Sequence, residues 1–188
     1  MTRLIVVLGL AGSGKSTQSK LLAEKSGAEW ISMGDLLRSK IKDERRKEML
    51  SGKILDQQEV IKMLEPSLYL GDDSNDKQIV LDGFPRGVKQ ADWLIAQHKH
   101  GQIHLEAIIH ILAKEKVVKD RLLDRGRQDD NEQAIGERFS EYENTIKPII
   151  NEFQKSSINV VKVDGEQSIE TVHNDIIKGL IEKGVATV

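Results

Sequence analysis

The sequence predicts an α/β fold built on a parallel sheet. Short apolar runs typical of strands alternate with stretches of helical periodicity, an order that favours strand–helix–strand units. The best strand predictions are Leu4 to Leu8, Ile79 to Asp82, Ala107 to Leu112 and Asn159 to Val163, with a weaker one from Trp30 to Ser32. The first and third runs are continuously apolar, as expected of strands that helices cover on both faces.

Two helical stretches have a recognisable start or face. Asp56 followed by Glu59 forms an approximate capping box, which predicts that a helix begins there. From Ile135 to Phe153, apolar residues recur at intervals of four and three, which predicts one long amphipathic helix packed on the core. Pro148 should kink that helix, because proline cannot donate a backbone hydrogen bond.

Length and composition narrow the class of protein. The chain has 188 residues, a formal charge of -2 and no cysteine. We therefore expect a single domain, residues 1–188, with neither disulfides nor a thiolate catalyst. The near-neutral charge and the 4% aromatic content do not favour binding to nucleic acid or to a membrane surface. The apolar N-terminal run is too short for a signal peptide or a membrane span, so we expect a cytoplasmic location.

A glycine-rich segment separates the first predicted strand from the helical stretch that follows. From Gly9 to Ser16 it reads Gly-Leu-Ala-Gly-Ser-Gly-Lys-Ser, which fits the phosphate-loop pattern. Gly12 and Gly14 allow the backbone to turn its N–H groups toward phosphate oxygens, and Lys15 adds a mobile positive charge. The pattern predicts binding of a nucleoside triphosphate, a property that GTPases, motor ATPases and small-molecule kinases share.

Two oxygen-bearing side chains are candidates for a magnesium site. Asp82 ends an apolar strand, at the edge of the sheet where α/β folds bind ligands. A carboxylate in that position can hold the water shell of Mg²⁺, and the hydroxyl of Ser16 can reach the ion directly.

Six arginines are candidates for holding phosphate groups: Arg38, Arg86, Arg121, Arg125, Arg127 and Arg138. Phosphoryl transfer needs such groups, because its catalysis consists mostly of positioning and charge stabilisation. Arg121 and Arg125 are four residues apart and share one helical face. Gly126 can end that helix and hinge the next arginine inward. Any one of these arginines could instead be a solvated surface residue, a reading that is weakest for Arg86 between Pro85 and Gly87.

Three segments give the chain a strong resemblance to the adenylate kinase family. They are the phosphate loop, the segment from Asp82 to Arg86 (Asp-Gly-Phe-Pro-Arg) with Gln90 beyond it, and the segment from Arg125 to Asp130 (Arg-Gly-Arg-Gln-Asp-Asp). The similarity extends from Arg3 to about Val172. The resemblance implies a three-layer P-loop fold with a five-stranded parallel sheet, ATP as the phosphoryl donor and Mg²⁺ as cofactor. It also implies a monophosphate-binding segment at about residues 32–62 and a short lid at about 125–132.

The resemblance further implies a role for each matching residue. Those expected to act in catalysis are Lys15, Arg86, Arg125, Arg127 and Arg138. Those expected to bind ATP are Gly12, Ser13, Gly14, Lys15, Ser16, Thr17, Arg121 and Gln167. Those expected to bind AMP are Met33, Arg38, Lys53, Ile54, Leu55, Gly83, Phe84, Pro85, Arg86, Gln90, Arg127 and Arg138. Ser16 and Asp82 are expected at the Mg²⁺ ion, partly through water.

Departures from the family pattern leave undecided which base the acceptor monophosphate carries. Met33 stands where adenylate kinases usually have threonine, and both the stretch from Arg38 to Gly52 and the lid look shorter than usual. Ala11 replaces a usual proline and Ser16 a usual glycine, yet both fit the general phosphate loop. We expect AMP as the acceptor. The alternatives are another monophosphate, such as CMP or UMP, and a nucleotide-binding regulator without turnover. We expect a monomer.

Overall fold

The five predicted strands form one parallel sheet. The protein is described by a computed structural model for residues 1–41, 55–69, 77–126 and 130–185. The strands are β1 (Thr2–Gly9), β2 (Glu29–Ser32), β3 (Gln78–Asp82), β4 (Ile103–Leu112) and β5 (Val160–Asp164). Their order across the sheet is β2-β3-β1-β4-β5, and each neighbouring pair is parallel. The predicted fold class is therefore confirmed.

Helices cover both faces of this sheet. Those described are α1 (Lys15–Ser26), α2 (Met33–Lys40), α3 (Gln57–Tyr69), α4 (Val88–Lys99), α5 (Glu115–Arg125), α6 (Glu132–Glu141), α7 (Lys147–Lys155) and α8 (Ile169–Glu182). Within the ranges that the structure describes, no helix is both long and apolar enough to cross a membrane.

Strand β1 contributes to two separate apolar layers. Leu4, Val6 and Leu8 belong to the core that includes residues of α3, α4 and α7. Ile5 and Val7 belong to the core on the opposite face, which includes residues of α1 and α8. Successive strand residues point to opposite faces of a sheet. The continuous apolar run of β1 therefore reflects burial on both sides.

The cap predicted at the start of α3 is confirmed. Oδ1 of Asp56 accepts hydrogen bonds from the backbone N–H groups of Gln58 and Glu59, at 3.1 and 3.0 Å. The carboxylate thus satisfies two of the N–H groups that the first turn of a helix leaves without backbone partners.

The predicted helix from Ile135 to Phe153 is helical but not one uniform α-helix. Helix α6 ends at Glu141, Tyr142–Ile146 form a π-helical turn, and α7 continues the run. The irregularity lies just ahead of Pro148, which occupies the first turn of α7. Proline has no N–H to donate and its ring crowds the preceding turn, so a wider turn before it relieves both problems.

Strand order places the phosphate loop at the centre of the sheet. The chain runs from β1 to β2 at one edge and returns through β3, whereas β4 and β5 lie on the other side of β1. Open sheets of this kind bind ligands beyond the carboxyl ends of the strands, where the strand order reverses. The loop that follows β1 lies at that position.

Two helical glycines have opposite surroundings and give a paired prediction. A Cβ at Gly136 in α6 would meet no atom within 4 Å, whereas a Cβ at Gly179 in α8 would collide with Cγ1 of Val161 on β5. We expect Gly136→Ala to raise the free energy of unfolding by about 0.5–1 kcal/mol through helix propensity. Gly179→Ala should lower it by about 1–3 kcal/mol through overpacking. Urea denaturation measures both, and a stabilising effect of Gly179→Ala would contradict the packing of α8 on β5.

Candidate active site

The phosphate loop rests directly on a neighbouring helix. Gly12 and Gly14 have φ angles of 84° and 99°, which glycine adopts without strain. A Cβ at Gly12 would lie 2.9 Å from Cγ of Leu122 in α5. Gly14 is the N-cap of α1, so the free N–H groups of the first helical turn lie beside the loop. This arrangement presents backbone donors and a helix N-terminus to an anion.

Lys15 is folded across its own loop. Its Nζ donates a hydrogen bond to the carbonyl oxygen of Leu10, at 2.9 Å. Burial is the main reason that the pKa of Lys15 falls to about 8. Four charged side chains also act on this pKa, in decreasing order Asp82, Arg86, Glu141 and Arg125. The two carboxylates raise the pKa and the two guanidinium groups lower it, so charges of both signs surround the amine.

The two residues predicted at the magnesium ion are in direct contact. The hydroxyl of Ser16 donates to Oδ2 of Asp82, at 2.5 Å. Asp82 is 4% exposed at the end of β3, beside the phosphate loop. Hard oxygen donors of this kind suit Mg²⁺, which keeps much of its water shell and binds few protein ligands. The described part of the chain contains no group of three or more His, Asp or Glu side chains placed to hold a metal.

Two of the predicted catalytic arginines converge on one carboxylate. Arg125 donates from Nε and Nη2 to the two oxygens of Asp130, at 2.8 and 2.6 Å. Arg138 donates from Nη1 to Oδ1 of the same group, at 3.1 Å. The Asp130 side chain has no exposed surface, so these bonds compensate for its burial. The carboxylate links the end of α5 to the last turn of α6.

A second carboxylate holds Arg86. Nη2 of Arg86 donates to Oε2 of Glu141 at 2.6 Å. The backbone N–H of Arg86 donates to Oε1 of Gln90, at 2.8 Å. Gln90 is 2% exposed. The backbone and the guanidinium group of Arg86 are thus fixed by different elements, α4 and α6.

The remaining predicted side chains lie at opposite ends of the site. Nη2 of Arg38 donates to Oδ1 of Asp35 on the same helix, at 2.6 Å. Nη1 of Arg121 donates to the carbonyl oxygen of Gly165, at 2.9 Å. Gln167 lies two residues beyond that carbonyl, in the loop between β5 and α8.

One cavity of about 560 Å³ joins most of these residues. The predicted residues that line it are Gly12, Ser13, Gly14, Lys15, Ser16, Thr17, Arg38, Asp82, Gly83, Pro85, Arg86, Arg121, Arg125, Arg138 and Gln167.

Four of the other predicted residues are described but do not line this cavity. Met33, Phe84 and Gln90 are at most 2% exposed, and Leu55 packs against the core. The assigned role of each in binding AMP stays a prediction. Three further predicted residues, Lys53, Ile54 and Arg127, lie outside the described residues.

Sequence reasoning assigned no role in the site to Gln18 and Glu141, which are polar residues that line the cavity. Gln18 is 3% exposed, and its Nε2 donates to the carbonyl oxygen of Ile169 at 2.8 Å, which ties α1 to the start of α8. Glu141 is the partner of Arg86 described above. Its position three residues after Arg138 on one helix was the available signal, because residues three apart share a helical face.

A phosphate loop at the switch point of a parallel sheet, with arginines from several elements around one cavity, defines a P-loop nucleotide-binding protein equipped for phosphoryl transfer. The comparisons with known proteins agree with this class. Residues 7–158 match the family model described as "Adenylate kinase".

Curated relatives match over nearly their whole length. An adenylate kinase of Corynebacterium urealyticum is 35% identical, over 89% of this chain and 93% of the relative. One of Nocardia farcinica is 34% identical, over 94% of this chain and 98% of the relative. One of Leptospira biflexa is 33% identical, over 96% of this chain and 100% of the relative. The chain belongs to the adenylate kinase family.

The lowered pKa of Lys15 predicts a pH limit on nucleotide binding. The amine loses its proton as pH rises through about 8, and bound phosphates favour the protonated form. ATP affinity should therefore fall above pH 8, by up to about tenfold per pH unit. Isothermal titration calorimetry between pH 7 and 9.5 measures the ATP affinity as a function of pH.

Lys15→Arg is the matched control, because a guanidinium group stays protonated throughout this range. Its ATP affinity should be independent of pH there. An unchanged ATP affinity of the natural chain up to pH 9.5 would contradict the lowered pKa.

Proposed function

We propose that this protein transfers the γ-phosphoryl group of ATP to AMP, with Mg²⁺ as cofactor, and yields two ADP. The observation that carries the proposal is that one cavity is lined both by the phosphate loop and by the arginines Arg38, Arg86, Arg125 and Arg138. Two polyanions repel each other, so a site that joins them needs cations between and beside them. Family membership agrees with this assignment.

The donor side of the site is the phosphate loop. Its backbone N–H groups and Lys15 would hold the β and γ phosphates of ATP. Arg121, whose guanidinium reaches Gly165, would lie beside the base, together with Gln167 in the same loop. Ser16 and Asp82 would hold Mg²⁺, and the ion, when bound, supplies positive charge to the phosphates.

The acceptor side would be formed by Arg38 and Arg86, which line the cavity, and by Gln90, which is 2% exposed and would have to become accessible to the base. Both arginines can bind a monophosphate through bidentate, charge-assisted bonds. The amide of Gln90 carries a donor nitrogen and a carbonyl oxygen, one lone pair of which already accepts the N–H of Arg86. This leaves the two N–H donors of the amide and the second lone pair of its oxygen, so Gln90 can donate to N1 and accept from N6 of adenine.

The arginines at the centre of the site would act on the transferred group. The acceptor is already an anion at neutral pH, so the reaction needs no general base, and its barrier depends on charge stabilisation and alignment. Arg125 and Arg138 would turn from Asp130 toward the phosphates when ATP binds. The short lid at about 125–132 and the monophosphate-binding segment at about 32–62 stay predictions, because residues 127–129 and 42–54 lie outside the described residues.

A panel of monophosphates with ATP and Mg²⁺, read by ADP release, tests the proposal. AMP should be the best acceptor. CMP should follow, because cytosine presents the same donor and acceptor edge, and UMP should be the worst, because O4 and N3–H reverse that edge. Because the edge of UMP does not pair with Gln90, its kcat/KM should be about 5- to 100-fold lower than that of AMP.

Lys15→Ala is the control for the panel. It removes the charge on the β and γ phosphates, so activity should be lost while the melting temperature stays within a few degrees of the natural chain. Faster turnover of CMP or UMP than of AMP would move the proposal to a pyrimidine monophosphate. Absence of turnover with every acceptor would favour a nucleotide-binding regulator instead.

A further inference from the structure

Glu141 is a negatively charged residue in the wall of a cavity built for anions. The cavity is lined by Lys15 and several arginines, and Glu141 lines it with them. Its side chain is only 11% exposed, so solvent screens its charge poorly. A carboxylate in that position repels phosphate groups, and it is tolerable only with a close cation.

The close cation is Arg86. The distance from Nη2 of Arg86 to Oε2 of Glu141 is 2.6 Å, across 55 residues of sequence. The Arg86 side chain is 48% exposed and would otherwise sample many rotamers. A guanidinium group has five donor hydrogens, so a bond from Nη2 to Glu141 leaves other hydrogens for a phosphate. The contact therefore orients Arg86 and still leaves it able to donate hydrogen bonds to a phosphate.

The helix fixes Glu141 firmly enough for this purpose. Glu141 is the last residue of α6, and the π-helical turn begins at the next residue. That residue, Tyr142, is 6% exposed, and its hydroxyl lies 2.7 Å from Nε2 of His110 on β4. Ile146, at the end of the turn, is also buried in the core. The carboxylate is thus carried by backbone that is anchored to the central sheet.

We infer that Glu141 is a positioning residue for the acceptor phosphate, which it serves by holding the guanidinium of Arg86 in its binding orientation. The inference rests on the proposed function and deepens it. In the same place, Glu141 also favours the charged form of Lys15. Its negative charge therefore supports one cation by direct contact and another through space.

The test measures KM for AMP, KM for ATP and kcat in Glu141→Gln and Glu141→Ala. We expect Glu141→Ala to raise KM for AMP roughly five- to thirtyfold, because a charge-assisted bond to a half-exposed arginine is lost. Glu141→Gln keeps an acceptor oxygen and the side-chain volume, so its effect should be smaller. KM for ATP should change less than threefold in both. Equal changes in both KM values would indicate a general structural role and overturn the inference.

A double-mutant cycle separates action through Arg86 from any independent effect. If Glu141 acts through Arg86, Arg86→Ala and the double variant Arg86→Ala/Glu141→Ala should have the same KM for AMP within about twofold. If the change in KM for AMP in the double variant equals the product of the changes in the two single variants, the two residues act independently and the inference is overturned. A lower KM for AMP in Glu141→Ala would also overturn it, because the carboxylate would then be a competitor of the phosphate.

Glu143→Gln is the matched control. It removes the same charge two residues away, where the carboxylate pairs with the exposed Lys147 rather than with Arg86. Its kinetics should equal those of the natural chain, and a shift equal to that of Glu141→Gln would overturn the inference. The natural chain in the same assay reports on the proposed function, since failure to phosphorylate AMP would defeat that function separately from the cycle.

Discussion

The site depends on how closely the phosphate loop approaches the backbone around it. At three glycines a side chain would strike neighbouring atoms. A Cβ at Gly9 would collide with the carbonyl oxygen of Ile111, and one at Gly165 would lie 2.8 Å from the carbonyl oxygen of Ser13. At Gly12 the obstacle is Leu122. The loop therefore lies flush against the ends of β4 and β5 and against α5, and its position is determined by contacts that only glycine permits.

This close packing brings charged side chains from distant elements to one place. Carboxylates accompany the cations, with Asp130 beside Arg125 and Arg138, and Glu141 beside Arg86. The carboxylate side chains of Asp130 and Glu141, which are 0% and 11% exposed, offset the repulsion among the cations. A phosphate that draws Arg125 and Arg138 away from Asp130 must therefore improve on an existing ionic contact, whereas Arg86 can bind a phosphate and keep its contact with Glu141. Because phosphate replaces the carboxylate partner of Arg125 and Arg138, it would bind these two arginines more weakly than it would bind unpaired guanidinium groups. The carboxylates also keep the arginines close to the positions from which they can bind phosphate.

The sequence was sufficient to predict the fold and the position of the phosphate loop, whereas the roles assigned to the loop residues stay predictions. Continuous apolar runs predicted the strands, and the glycine-rich pattern predicted the loop, because each feature lies within a short stretch of chain. The π-helical turn at Tyr142–Ile146 was not predicted. A single wide turn shifts the apolar period too little to be distinguished from an α-helix in a stretch that contains a proline. The burial of Met33 was also missed, since its position beside a motif says nothing about the direction of its side chain.

Arg38, Arg86 and Gln90 were predicted from the sequence as acceptor-binding residues, whereas the long-range contact that holds the guanidinium of Arg86 was not predicted. Glu141 accepts from Arg86 across 55 residues of sequence. Its spacing from Arg138 places it on the same helical face, but no local pattern pairs it with Arg86. One substitution can remove this contact without any change in the phosphate loop. The two ends of the cavity are thus under different constraints. Under the proposed function, the donor end would be held by backbone packing that tolerates few residues, whereas acceptor binding would rest on a side-chain pair that one substitution can alter. Such a substitution would change the affinity for the acceptor while the use of ATP stays the same.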